Sequence, residues 1–171
     1  MECGWIIHLR ANNQMDIQSE KILAQVIRGT RIGALGTLRD EVAYVSMVPF
    51  VVVPDFSTFH IFASRLAQNI VDLQKNKYMS LLIAQTDDGR ADPQTLARVT
   101  IRGYAELMQI GEPGYTPVKN MYIERFPDSE PLFKLEDFGL WRIKPKGGRF
   151  VAGLAKAYNI TPDALVKVST R

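Results

Sequence analysis

Apolar positions along the chain switch between two periods. In "SEKILAQVIRG" (Ser19 to Gly29) the apolar residues Ile22, Leu23, Val26 and Ile27 recur at helical spacing, and Gly29 follows the last of them. That pattern predicts a short amphipathic helix with Ser19 as its cap. The next stretch, "RIGALGTLRDEVAYVSMVPFVVV", changes character. Small and apolar residues over Ile32 to Leu38, a polar "RDE", then a β-branched and aromatic run from Val42 to Val53 predict a hairpin. After "PDFS" a third strand is expected over Thr58 to Ala63. A helix should follow it directly, with Leu66, Ile70 and Leu73 on one buried face.

The second half repeats the strand signal. "KYMSLLIAQ" predicts a strand, "TDDGRADPQ" a polar loop, and "TLARVTIRGYAELM" a long strand with Gly103 at a bulge or close approach. Helical material is expected around Pro117 to Arg125. "FGLWRIKPKGGRFVAGL" predicts two strands joined by "PKGG". "TPDALVKV" predicts a last helix, capped by Thr161 with Pro162 in its first position. Six or seven strands joined mostly by hairpin-length turns, with few crossovers, describe a small antiparallel barrel or sandwich. The expected organisation is a lead-in over residues 1–18 and one domain over residues 19–171.

Composition narrows the function classes. A chain of 171 residues with 46% hydrophobic and 23% charged residues can bury a real core. No apolar run reaches the length of a membrane span, and no signal-peptide pattern opens the chain. The net charge of +3 is spread among acidic residues except around "RIKPKGGR" (Arg142 to Arg149), which suits a small anionic ligand better than nucleic acid. Cys3 is the one cysteine, so an internal disulfide is excluded and a reducing cytoplasm is the expected compartment.

Chemistry-bearing motifs are scarce. His8 and His60 are the only histidines, and neither lies at ligand spacing from carboxylates, so no metal site is expected. His60 reads as a structural histidine within a strand, Trp141 as core, and Asp87 and Asp88 as turn formers. Nucleophile elbows, Walker loops and dinucleotide fingerprints are absent. One place stands out. "HIFASRLAQNIVDLQKN" puts Ser64 and Arg65 where a strand runs into a helix, and the N–H groups of a helix start can hold a phosphate. An ordinary capped helix explains the same residues.

Four stretches, in order and spacing, resemble the FMN-binding split-barrel proteins related to pyridoxamine 5′-phosphate oxidase: "ALGTLRDEVAYVSMVPFVV", "FASRLAQNIVDLQKNKYMSLLI", "RVTIRGYAEL" and "DFGLWRIKPKGGRFVAGLAKAY". The last is most similar to haem-utilisation proteins of the HugZ type. The resemblance implies a mainly β fold, a six-stranded antiparallel split barrel with flanking helices, forming a homodimer with FMN between the subunits. It implies that the backbone of Ser46, Met47, Val48, Pro49 and Phe50 runs beside the flavin ring. It places the phosphate at Ser64 and Arg65, with Asn69 in the following turn, and a flavin contact at Arg98, five residues before Gly103.

Several positions depart from the family's pattern. Leu66 stands where the oxidases carry Lys, Ser46 where they carry Arg, and Val51 where they carry Lys. Asn69 and Ile70 replace the His-Thr pair of the HugZ-type branch, and the oxidase's C-terminal Arg-x-His segment is missing. HugZ-type proteins supply a haem-binding histidine near the C-terminus, whereas this chain ends "TPDALVKVSTR". Haem would have to recruit His8, His60 or another ligand such as Tyr158. Three expectations result: an FMN-dependent oxidoreductase acting on a small molecule, with no catalytic residue assigned; a haem-binding or haem-degrading protein; or a dimer without cofactor.

Overall fold

A computed structural model describes residues 14–154 and 156–171. Among these residues are seven antiparallel strands: β1 (Ile32–Arg39), β2 (Val42–Val52), β3 (Phe59–Ser64), β4 (Tyr78–Ala84), β5 (Arg98–Leu107), β6 (Phe138–Gly153) and β7 (Lys156–Ile160). Their order is β3-β2-β1-β4-β5-β6-β7, and β3 also pairs with β6, which closes a ring of six strands with β7 outside it. Among the described residues four α-helices flank the ring: α1 (Ile17–Gly29), α2 (Gln68–Lys75), α3 (Tyr115–Arg125) and α4 (Pro162–Val168). This is the six-stranded split barrel expected from the sequence.

The β1–β2 hairpin forms where the two strand-forming runs on either side of the polar "RDE" predicted it. Asp40 and Glu41 lie between the paired Arg39 and Val42 and both adopt positive φ, 46° and 67°, which matches the right-handed strand twist. Inward positions fill the barrel with Leu35, Phe50, Phe59, Ile61, Ile101 and Phe150, each fully buried. Burying side chains of this size contributes roughly 1.5–3 kcal/mol apiece. Leu23 and Ile27 of α1 extend this core. A second core lies on the outer side of β2, β3 and β6, where Val51, Phe62 and Leu140 meet Val118 and Tyr122 of α3. Phe62 stacks on Phe133 there, with ring centroids 3.8 Å apart.

Three local expectations are corrected. Asp16, not Ser19, caps α1: its carboxylate accepts from the Ser19 N–H at 2.7 Å, while the buried Ser19 hydroxyl meets Tyr158. Leu66 is 81% exposed, because α2 begins only at Gln68 and Leu66 lies in the preceding turn. "PKGG" does not join two strands. β6 runs unbroken for 16 residues through Pro145, Gly147 and Gly148. The register shifts where Arg102 pairs with Gly147 and Gly103 with Pro145, so the extra residue is Lys146 on β6, and Gly103 is the close approach of the two alternatives expected there. Thr161 caps α4, accepting from the Ala164 N–H, as predicted. Cys3, His8 and most of the lead-in lie outside the described residues. No helix among the described residues is long and apolar enough to cross a membrane.

Candidate functional site

The joint between β3 and α2 is a turn rather than a direct entry. The Ser64 hydroxyl donates to Asp137 Oδ2 at 3.0 Å and accepts from the Leu66 N–H at 3.1 Å. The Arg65 N–H donates to the Asp137 carbonyl at 2.5 Å. Ser64 is thus bound to a carboxylate brought in just before β6. The Arg65 side chain is exposed and forms no ion pair among the described residues. Ala67 is the N-cap of α2 and supplies no side-chain hydrogen bond, so its first-turn N–H groups lack a capping side chain.

Strand alternation divides the "SMVPF" segment. Ser46, Val48 and Phe50 face inward with Leu35, opposite Ser46, whereas Met47 and Pro49 face outward. Ser46 Oγ accepts from Asn69 Nδ2 at 3.0 Å, which ties β2 to α2. Asn69 is only 7% exposed, and its Oδ1 has no hydrogen-bond partner. Arg98 lies apart from this group. It starts β5, three strands from β2 in the sheet, and its Nη1 donates to the carbonyls of Gln94 and Leu96 at 3.0 and 3.1 Å. It lines a groove with Arg149 and Lys156. Within one chain, then, Ser46 meets Asn69, Ser64 and Arg65 meet Asp137, and Arg98 stands on a different wall.

The outer wall formed by β1, β2, β4 and β5 was missed by sequence reasoning. Ile32, Val45, Met47 and Leu82 lie on it and are 51%, 65%, 65% and 37% exposed. The signal was present in β2 and β4, which carry apolar residues at both alternating sets. Next to them lies a cavity of about 600 Å³, with Leu38, Tyr78, Arg102 and Lys146 among its lining residues. The Tyr104 ring stands nearby with Lys77, Lys144 and Lys146 at 5.0, 5.7 and 5.4 Å from its centroid.

The expected structural residues are where the sequence put them. His60 is buried at 1% exposure, with Nε2 2.9 Å from the Thr58 hydroxyl and Nδ1 without a partner. Burial, and then the positive charge of Arg142, lowers its pKa from 6.5 to about 4. Trp141 packs in the barrel core, and its neighbour Arg142 pairs with Glu112 at 2.5 Å. Asp87 and Asp88 accept from N–H groups two residues on, as turn formers do. Tyr158 is buried, its hydroxyl near Ser19 and Asp16. No cluster of three or more His, Cys, Asp or Glu side chains suited to a metal occurs among the described residues.

Comparison with known proteins locates this architecture. A putative pyridoxamine 5′-phosphate oxidase from Listeria innocua superposes with a TM-score of 0.58 at 19% identity, covering 80% of this chain and 99% of that one. A haem binding protein from Mycobacterium smegmatis superposes with a TM-score of 0.78 at 20% identity, covering 90% of this chain and 62% of that one. The fold is the pyridoxamine 5′-phosphate oxidase-like split barrel. By sequence, the split-barrel chain is 27% identical to the haem oxygenase HutZ of Vibrio cholerae over 123 residues, 71% of this chain and 69% of that protein. It is 33% identical to the chloroplastic non-canonical haem oxygenase HOZ of Arabidopsis thaliana over 136 residues, 78% of this chain but 40% of that protein. The resemblance to the haem-utilisation branch therefore extends to its sequence. No family model matches the chain.

Proposed function

We propose that this protein binds haem, and acts in its breakdown, as a homodimer in the cytoplasm. The observation that carries haem over FMN is the bond from Ser64 to Asp137. A phosphate dianion at this joint would lose the hydroxyl donor and face a carboxylate instead, a repulsion that costs affinity. The sequence similarity to two haem oxygenases supports the same reading. The exposed apolar outer wall supports the dimer, since a contiguous patch of this kind marks an interaction surface. The 600 Å³ cavity is of cofactor size, and its apolar walls with cations at the rim fit an amphipathic dianion such as haem. Haem would supply the redox chemistry through its iron, while this chain positions it and excludes water.

The test is a titration of the purified protein with haemin, and in parallel with FMN. A saturable Soret shift with no flavin quenching is the expected result. Flavin quenching at low micromolar FMN without a Soret shift would overturn it. That outcome would favour an FMN oxidoreductase acting on a small molecule, a reading supported by the uncapped start of α2 and the exposed Arg65. Binding of neither would leave a dimer without cofactor.

A further inference from the structure

The large cavity is shaped by small residues at one level of the sheet. Gly36 of β1 pairs with Ser80 of β4, Ser80 with Arg102 of β5, and Arg102 with Gly147 of β6, all on the outer face. Three of these four positions carry little or no side chain, so the wall sinks between them. Gly36 is not required by the backbone. A Cβ there would lie 3.6 Å from the Ser80 carbonyl oxygen, an ordinary contact. By contrast, a Cβ on Gly103 would lie 2.1 Å from the Lys144 carbonyl oxygen and one on Gly148 2.2 Å from that of Thr100. Gly103 and Gly148 are therefore fixed by strand packing, whereas the bare position at Gly36 leaves space above the sheet.

The lining of that space has a definite chemical character. Leu38 and Ala43 make an apolar end, and Tyr78 contributes an exposed phenol. Arg102 and Lys146 are exposed, and neither forms an ion pair among the described residues. Lys77 and Lys144 add positive charge around Tyr104, which pairs with Tyr78 across the strands. Glu106 offsets one of these charges, through Lys144 at 2.8 Å. A ligand matching this lining has a broad apolar body and more than one anionic group. Tyr78 is also the one exposed lining side chain with an oxygen suited to ferric iron. Thr37, also in the lining, is buried and donates to Asp72.

We propose that this trough is the haem seat, with Arg102 and Lys146 on the propionates and Tyr78 as ligand to ferric iron. The assignment rests on the haem reading given above and adds the residues. It needs no histidine: His60 is buried inside β3, and Tyr158 is held in the interior. It also sets haem beside the apolar wall on which a second copy would dock.

Haemin titration of the full chain tests it, with iron-free protoporphyrin IX as second probe and circular dichroism to confirm that each variant is folded. The wild type is expected to give the charge-transfer band of a phenolate-ligated ferric haem. Tyr78→Phe should remove that band and leave protoporphyrin affinity within about threefold. Arg102→Ala combined with Lys146→Ala should weaken both probes by at least about tenfold, the scale of one charge-assisted hydrogen bond. Ser80→Leu should fill the trough and abolish binding of both. If haemin binds the wild type and all of these variants alike, this site is wrong while the haem reading stands. If Tyr78→Phe keeps the wild-type spectrum, the ligand assignment falls. If the wild type binds no haemin, the haem reading and this inference fall together.

Discussion

The side-chain amide of Asn69 donates to the Ser46 hydroxyl at 3.0 Å, joining the first turn of α2 to the middle of β2 across 23 residues of sequence. Each side chain takes the other as its partner, and the Oδ1 of the buried Asn69 finds none. Ser46→Ala would leave the donor unpaired as well, at a cost of about 1–3 kcal/mol. Urea unfolding should show a lower midpoint with an unchanged slope. An unchanged midpoint would mean that water reaches the amide.

Met47, the next residue, points the other way. It is 65% exposed and shares the outer wall with Val45 and Leu82. If this wall seats a second copy, Met47→Asp buries two symmetry-related carboxylates in the interface and should dissociate it. Light scattering should give a mass near twice 19.3 kDa for the wild type and near 19.3 kDa for the variant. Thermal unfolding should remain cooperative in both. A wild-type mass equal to the variant's would remove the dimer from the proposal.

His60 gives stability a pH dependence of known sign. Its pKa falls from 6.5 to about 4 on folding, chiefly through burial. Between those values the unfolded chain binds the proton more readily, so stability is full above about pH 6.5 and is lost as pH falls toward 4. The slope cannot exceed roughly 1.4 kcal/mol per pH unit for this one group. Unfolding free energies at pH 7 and pH 5 should differ in the wild type, and the difference should shrink in His60→Gln. Equal slopes in the two proteins would place the pH dependence elsewhere.

Gly103 and Gly36 make a contrast in stability. A Cβ at Gly103 would strike the Lys144 carbonyl oxygen at 2.1 Å, where two backbones meet at the bulge and neither can easily yield. Gly103→Ala should cost at least about 2 kcal/mol, in the range of overpacked core sites. Gly36→Ala meets only ordinary contacts and should change stability by less than about 1 kcal/mol. Melting temperatures of the two variants compare the positions directly.

The same glycines show where the sequence was legible and where it was not. The hairpin from Ile32 to Val52 was readable because a polar turn separates two strand-forming runs. "PKGG" was misread because Pro and Gly mark a turn and a close strand approach equally well. Only the Thr100 carbonyl oxygen, 2.2 Å from a Cβ on Gly148, decides for the strand. β7, Lys156–Ile160, was missed because five residues outside the ring carry too short a pattern. At the joint, Ser64 was legible as a polar residue at a strand-to-helix entry, but it caps the preceding turn and binds a carboxylate rather than starting α2. Its partner Asp137 lies 73 residues on, and no local pattern announces it. The outer wall was hidden differently: its apolar residues were visible, but their facing away from the core was not.

Asp137 offers the sharpest separation of the haem and flavin readings. Its carboxylate holds the Ser64 hydroxyl at 3.0 Å beside the exposed Arg65 and the uncapped start of α2. Those last two groups favour a phosphate and the first opposes it. Asp137→Asn removes the opposing charge, and an amide can still accept from Ser64. If this balance alone keeps FMN out, the variant should gain affinity by roughly tenfold, about 1.4 kcal/mol, as read by flavin fluorescence quenching. Adding Arg65→Ala should reverse the gain, since the guanidinium is the remaining strong donor at the joint. Haemin binding, seated on the outer wall, should not respond to either change. A wild-type protein that already binds FMN tightly, and loses it through Arg65→Ala, would show that the phosphate is held despite Asp137 and would return the flavin to this joint.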